Sequence, residues 1–241
     1  MPPTFLISGA GRGIGLSFVK ALLSRDDACT IFAGVRNIAT ATELQAIAKA
    51  DKRVIVFPLD MDDEGSIQNA ARVLASRSPS LSVLINNAGF APEKTTPAAS
   101  VRSRDFIQAF RTNTLGPILL IQFMLPFLEK SGGLVVNISS LLGSIQVNPG
   151  RQVAYAVSKA GLNMATTIFQ KQSKEKNVTF VAAHPGTVAT DMRPDLRQPG
   201  AMPHITADES AQAILTNIVF SDDVTALGGR FITWEGKDML W

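Results

Sequence analysis

TFLISGAGRGIG, residues 4–15, decides how the rest of the chain is read. Residues 4–8 are apolar or β-branched, which suits a short strand covered on both faces. Glycines follow at 9, 11, 13 and 15, and helical-period sequence starts within the same turn. Glycine lets a phosphate come close to the backbone, and a helix N-terminus offers unpaired N–H groups and the positive end of the helix dipole. Any tight strand-to-helix turn uses glycine, so the pattern alone is weak. Its place in the first βα turn points to a dinucleotide site. The spacing is G-x-x-x-G-x-G rather than G-x-G-x-x-G. Gly9, Gly11, Arg12, Gly13, Ile14 and Gly15 are the candidate contacts.

Working outward, strands are expected at 4–8, 30–35, 54–58, 82–86, 133–139, 178–184 and 229–233. Helices are expected near 13–24, 39–50, 64–78, 103–130, 152–175 and 207–220. Thr40 with Glu43 could form a capping box, and Thr206 or Asp208 could open the last helix. This alternation implies a doubly wound α/β Rossmann fold with a seven-stranded parallel sheet. No linker, composition break or repeat divides residues 1–241, so one domain is expected. Two long connections, 87–102 and 187–206, follow the fourth and sixth strands. In an open α/β sheet ligands sit at the strands' carboxyl ends, and 187–206 reads as a substrate lid.

The 241 residues carry 23 Lys and Arg against 20 Asp and Glu, a net charge of +3, with the basic residues scattered. That distribution argues against nucleic acid and suits an anionic small molecule. One cysteine excludes an internal disulfide, and with two histidines it argues against a metal site. Cys29 opens an apolar run and reads as a buried thiol. Residues 115–128 are too short for a membrane span and contain two prolines. The opening residues lack the charged leader and apolar run of a secretion signal. A soluble cytoplasmic protein is expected.

An NAD site wants a carboxylate at the end of the second strand for the ribose 2′-hydroxyl. Here the strand ends in Arg36, no acid stands between Asp27 and Glu43, and Arg12 lies inside the glycine turn. Two guanidiniums suit a 2′-phosphate, so NADP(H) is the expected cofactor; two solvated surface arginines are the plainer alternative.

The chain has one tyrosine among thirteen phenylalanines, in AYAVSKAG (154–161), and Lys159 follows Tyr155 by one helical turn. With the first turn, INNAG (85–89) and NISS (137–140), this pair makes the chain resemble the short-chain dehydrogenase/reductase family along its whole length. The tail GGRFITWEGKDMLW and GSIQ (143–146) resemble its small carbonyl-reductase branch, which includes fungal polyketide ketoreductases. The resemblance implies that Tyr155 protonates a carbonyl oxygen as hydride arrives, and that Lys159 binds the nicotinamide ribose. A neighbouring cation is expected to lower the phenol's pKa from about 10. A serine binds the same oxygen. Ser140, in SLLG, fits the family position, and Ser139 is expected to face away. The spacing from Ser140 to Tyr155 is 15 residues against the family's 13, which reads as an insertion in the loop between them.

The resemblance also implies a role for Asn113 in anchoring a relay water near the lysine; a helix-interior asparagine at a bend is compatible with it. Asp60 and Met61 would meet the adenine, with a surface-turn carboxylate as the rival reading of Asp60. Asn87, Ala88 and Gly89 would lie beside the cofactor, and Asn86 and Asn87 would stabilise the sheet. In HPGTVATDM (184–192), Pro185 and Gly186 would turn past the nicotinamide. Thr187 and Val188 would touch its carboxamide, and Thr190 the pyrophosphate. His184 reads as a strand-end residue rather than a base.

The lid residues Met192, Pro194, Leu196, Pro199, Met202 and Pro203 suit a hydrophobic, polyketide-like ketone or aldehyde. Arg193 and Arg197 stand there for a polar substrate or for solvent. The apolar faces of 103–130 and 152–175 suggest a homodimer or homotetramer, with a monomer as the alternative. The leading function is NADPH-dependent carbonyl reduction. Oxidation of an alcohol by the same site and an idle NADP(H)-binding sensor are the rivals.

Overall fold

The computed structural model describes residues 2–25, 28–92 and 97–241. Seven parallel strands form one sheet: β1 (Thr4–Ser8), β2 (Thr30–Val35), β3 (Val54–Pro58), β4 (Val83–Asn86), β5 (Leu134–Ile138), β6 (Thr179–His184) and β7 (Phe231–Thr233). Their order is β3-β2-β1-β4-β5-β6-β7. The chain winds outward from β1 in one direction and then from β4 in the other, so the switch point lies between those two strands. That crevice is where an open α/β sheet holds ligands.

Among the described residues the α-helices are α1 (Gly13–Ser24), α2 (Thr42–Ala50), α3 (Glu64–Ala75), α4 (Ser103–Phe110), α5 (Gly116–Ser131), α6 (Val153–Gln172) and α7 (Ala207–Ile214). The period-two alternation of a strand feeds two cores. On one face Phe5, Ile7, Ile31 and Ile85 pack with Phe18 and Leu22 of α1, Leu44 of α2 and Ile214 of α7. On the other, Leu6, Phe32, Leu84 and Val135 meet Ile67 and Leu74 of α3 and Leu120 and Met124 of α5. A strand with both faces buried is apolar through its middle, which is why TFLIS and TIFAGV do not alternate.

Three expectations change. The continuous helix at 103–130 is broken by a π turn over Arg111–Leu115, and α7 also runs into a π turn, Leu215–Val219. The Thr40–Glu43 capping box does not form. Ala41 precedes α2, the Thr40 hydroxyl donates to the Asn37 carbonyl at 3.1 Å, and Glu43 pairs with Lys20 at 2.5 Å. Asn37 caps a short 3₁₀ turn instead, taking the Ala39 N–H at 2.9 Å, so the local side-chain bond starts that turn before α2 begins. The Thr206–Glu209 box of α7 is complete in both directions. Of the 87–102 connection, residues 93–96 lie outside the described residues.

Candidate active site

The glycine turn is built by close approach between β1 and the chain leaving β4. Gly9 has φ +68°, and a Cβ there would stand 2.9 Å from the Ala88 Cα. A Cβ on Gly15 would meet the Asn87 Nδ2 at 2.6 Å. Ser8 closes β1, and its Oγ accepts the N–H of both Asn87 and Ala88 at 3.1 Å. Asn87 Nδ2 donates back to the carbonyls of Ser8 and Gly9. Ser8 is absent from the sequence reading; its only signal is a hydroxyl at the end of an apolar strand. The first turn of α1 has no acidic residue and no side-chain cap at Arg12, so its leading N–H groups stay available to an anion.

Arg12 is exposed and its guanidinium meets Asp191 at 3.2 Å. Arg36 is exposed just after β2 and joins no ion pair among the described residues. Asp60 Oδ1 accepts the Asp62 N–H at 3.0 Å, so one oxygen closes a turn. Met61 is buried, and its side chain would lie 3.0 Å from a Cβ on Gly116.

The candidate reacting groups come from two elements, α6 and the turn that follows β5. Tyr155 and Lys159 lie one turn apart on α6. Ser140 stands two residues beyond β5, opening the 3₁₀ turn Leu141–Gly143, and its Oγ accepts the Leu142 N–H at 3.2 Å. The Ser140 hydroxyl stands close enough to the Tyr155 phenol to pull its pKa down. Ser139 is turned away, its Oγ donating to Asn163 Oδ1 at 2.5 Å. Lys159 is buried and its Nζ donates to the Ile138 carbonyl at 2.7 Å.

The electrostatics differ from expectation. Burial pushes the Tyr155 phenol up to about 12, with the Ser140 hydrogen bond offsetting part of the rise. Burial also pushes the Lys159 ammonium down to about 8. The expected acidification of the phenol by the lysine is outweighed by desolvation: the ammonium lies over the ring, 5.7 Å from its centroid, and points to a backbone carbonyl.

Asn113 sits in the π turn between α4 and α5, fully buried. Its Oδ1 accepts the Phe90 N–H at 2.7 Å, and its Nδ2 donates to the Phe90 carbonyl at 2.7 Å and to Ser158 Oγ at 2.9 Å. Ser158, on α6, donates to the Tyr155 carbonyl at 2.7 Å. A Cβ on Gly89 would lie 3.5 Å from Asn113 Oδ1, 3.7 Å from Met192 Cε and 3.8 Å from Lys159 Nζ. The lid, the π turn and α6 therefore converge on Gly89. Asn86 Nδ2 donates to Asn137 Oδ1 at 2.8 Å, and Asn137 to Thr166 at 2.9 Å, tying β4 and β5 to α6.

Past β6 the chain turns at Pro185, whose carbonyl accepts from Ser210 Oγ at 2.7 Å, and at Gly186, with φ +88°. A Cβ on Gly186 would meet Ile205 and Trp234 at 2.9 and 3.0 Å. Val188 is buried and pairs with Ile205, and Ala189 N–H bonds the Ile205 carbonyl at 3.0 Å, so the two ends of 187–206 are fastened together. Thr190 lies 3.4 Å from a Cβ placed on Gly13. Leu196 is buried rather than presented by the loop, whereas Met192 and Met202 are exposed. Arg193 bonds Asp195 at 2.7 Å and Arg197 bonds Asp191 at 2.9 Å, so both lid arginines have partners inside the lid.

A family model described as short chain dehydrogenase matches residues 3–200. The chain belongs to the short-chain dehydrogenase family. An NADPH-bound carbonyl reductase from chicken fatty liver is 35% identical, with a TM-score of 0.90 over 100% of this chain and 99% of that one. The carbonyl reductase Sniffer of D. melanogaster is 30% identical, with a TM-score of 0.91 over the full length of both chains. An uncharacterized oxidoreductase of Schizosaccharomyces pombe is 34% identical over 79% of this chain and 76% of its own. This short-chain dehydrogenase is therefore an oxidoreductase by family. Among its described residues no cluster of three metal-ligating side chains occurs, and no helix is long and apolar enough to cross a membrane.

Proposed function

We propose that this short-chain dehydrogenase is an NADPH-dependent reductase of a ketone or aldehyde on a hydrophobic small molecule, with Tyr155 as general acid. The observation that carries the reading is the Ser140 hydroxyl brought close enough to the Tyr155 phenol to lower its pKa, with a buried lysine one helical turn further along α6 at the carboxyl end of β5.

The residues suit the cofactor. The uncapped start of α1, with Gly9, Gly11, Gly13, Ile14 and Gly15, fits a pyrophosphate. Arg12 and the unpaired Arg36 fit a 2′-phosphate, with no carboxylate at the end of β2 to bind a bare ribose. Asp60 and Met61 would flank the adenine. Asn87, Ala88, Gly89, Pro185, Gly186 and Val188 would line the nicotinamide half, and Thr190, beside Gly13, would reach the pyrophosphate. When bound, NADPH supplies the hydride.

The chain supplies the rest. Ser140 donates a hydrogen bond to the substrate oxygen, and Tyr155 gives up its proton as that oxygen gains negative charge. A phenol raised to about 12 holds its proton at neutral pH, which is the form that a proton donor in reduction needs. Lys159, beside Gly89, holds the ribose and delivers positive charge to the reacting centre. Asn113 fixes the Phe90 backbone and the Ser158 hydroxyl next to it. The 187–206 lid, with Met192 reaching toward Gly89, would close an apolar pocket over an aromatic or polyketide-like substrate and exclude water. The whole chain serves as one NADP(H)-binding domain in the cytoplasm. Exposed Ile107, Phe110, Val157, Met164 and Ile168 on α4 and α6 would pair two copies in a homodimer or homotetramer.

NADPH consumption measured against a panel of aromatic ketones, diketones and aldehydes tests the reading. Turnover on at least one is expected. Tight NADPH binding with no turnover on any would leave a cofactor sensor instead.

A further inference from the structure

We propose that His184 is a positioning residue for Ser140, its imidazole Nδ1 holding the Leu141 N–H so that the Ser140 hydroxyl faces Tyr155. The inference rests on the reading of Ser140 as a donor to the substrate oxygen.

The last backbone rung joining the segment after β5 to β6 is the Ser139 N–H on the Ala183 carbonyl, 2.8 Å. In a parallel ladder the next N–H to face the neighbouring strand is two residues on, at Leu141. There the segment has already left the sheet for the 3₁₀ turn Leu141–Gly143, whose leading N–H groups have no acceptor within the turn. The carbonyl that would continue this ladder is that of Pro185, where the chain has left β6 and accepts from Ser210 Oγ at 2.7 Å instead, while the His184 carbonyl faces the other way and accepts the Trp234 N–H. The side chain of His184 takes over: its Nδ1 accepts the Leu141 N–H at 3.2 Å.

Ser140 is thereby fixed from both sides. Ser139 is bound through its backbone to β6 and through its hydroxyl to Asn163 on α6. Leu141 is bound by His184. The Ser140 carbonyl accepts the Gly143 N–H at 2.8 Å, and its Oγ accepts the Leu142 N–H. With both neighbours anchored and Oγ already accepting, the serine proton is free to be donated outward. Accepting at Nδ1 requires the ring's proton on Nε2, and burial supports the neutral ring by pushing its pKa down to about 4. The hydrogen bond that the His184 ring makes among the described residues is the one to Leu141, so its effect is expected to pass through Ser140.

The test uses the full chain with NADPH and benzil, an aromatic diketone, in wild type, His184→Leu, His184→Asn, Ser140→Ala and the double variant His184→Leu/Ser140→Ala. Asn Oδ1 can stand where Nδ1 stands; Leu offers no acceptor. His184→Leu is expected to lower kcat about 10²-fold, the scale of losing one aligned donor, with KM and the NADPH Kd within about 3-fold. His184→Asn is expected to recover most of that loss. Adding His184→Leu to Ser140→Ala is expected to cost less than about 3-fold more, since the two act as a unit. A scalar coupling across the N–H···N bond between the Leu141 amide and His184 Nδ1 is expected by NMR and reads the contact without activity. An absent coupling, an unchanged kcat in His184→Leu, or equal defects in Leu and Asn overturns the proposal. So do losses from His184→Leu and Ser140→Ala that multiply. An unchanged kcat in Ser140→Ala overturns the Ser140 reading and this inference with it, whereas a Ser140→Ala loss beside a normal His184→Leu overturns the positioning role alone.

Discussion

Lys159 carries a cost that its function has to justify. Its ordinary pKa of 10.5 falls to about 8 on burial. Below pH 8 both folded and unfolded chains hold the proton, and the native state bears the full penalty of a buried ammonium. Between 8 and 10.5 the native state releases its proton first, so stability rises with pH through that window. The penalty is on the order of 3 kcal/mol. Lys159→Met is therefore expected to unfold at no lower temperature than wild type at pH 7, even after losing the bond to the Ile138 carbonyl. That advantage should fade as pH rises toward 10.5 and can be read by calorimetry across pH; reductase activity should be lost at every pH. A second residue-scale expectation concerns Arg36. Arg36→Asp should weaken NADPH binding at least tenfold, the scale of a charge-assisted phosphate contact, and spare NADH. Side-by-side titrations check it, and tighter binding of NADH by the wild type would refute the arginine argument. Tyr155, Lys159 and Ser140 could be picked out as candidates because the motifs fix their order, and the structure brings the three together despite the longer Ser140–Tyr155 spacing. Their titration was not, since the adjacent cation is visible in sequence and the burial that outweighs it is not.

The π turn over Arg111–Leu115 is the element that joins the parts of the site. Thr112 Oγ1 donates to Asp62 beyond β3 at 2.6 Å, Asn113 grips Phe90 and Ser158, and Thr114 Oγ1 donates to the Ser158 carbonyl at 2.7 Å. Three successive side chains reach three different segments because the wider turn rotates them away from α-helical spacing. Asn113→Leu would strand a part-buried backbone N–H and carbonyl at Phe90 and should cost about 1–3 kcal/mol in denaturant unfolding, with a lower kcat in the variant that still folds. An unchanged midpoint would contradict this role. The turn could not be read from sequence: residues 103–130 keep an apolar helical period through it, and Asn113 is compatible with either helix. The α2 start was misread for a related reason, since Asn37 offered a closer side-chain acceptor than Thr40.

At the scale of the molecule, the architecture was legible almost residue by residue, as β1, β2 and β3 occupy the expected spans. Their apolar runs need cover on both faces, and glycines mark the turn after β1 and the end of α5. The lid was less legible: its composition suggested six apolar and two basic surface residues, yet Leu196 is an anchor and both arginines are paired within the loop. The exposed apolar face of α4 and α6 makes a further expectation. Met164→Lys with Ile168→Lys should shift the chain to monomer in sedimentation, while a wild type that is already monomeric at micromolar concentration would remove the proposed pairing. The central claim is that the Tyr155 hydroxyl delivers the proton in reduction. Its most direct measurement is the single-turnover rate of NADPH oxidation by Tyr155→Phe on a substrate that wild type reduces, with the NADPH Kd determined on the same samples. The expected result is a rate at least about 10²-fold lower with a Kd within about 3-fold of wild type; a rate within a few-fold of wild type would contradict the account.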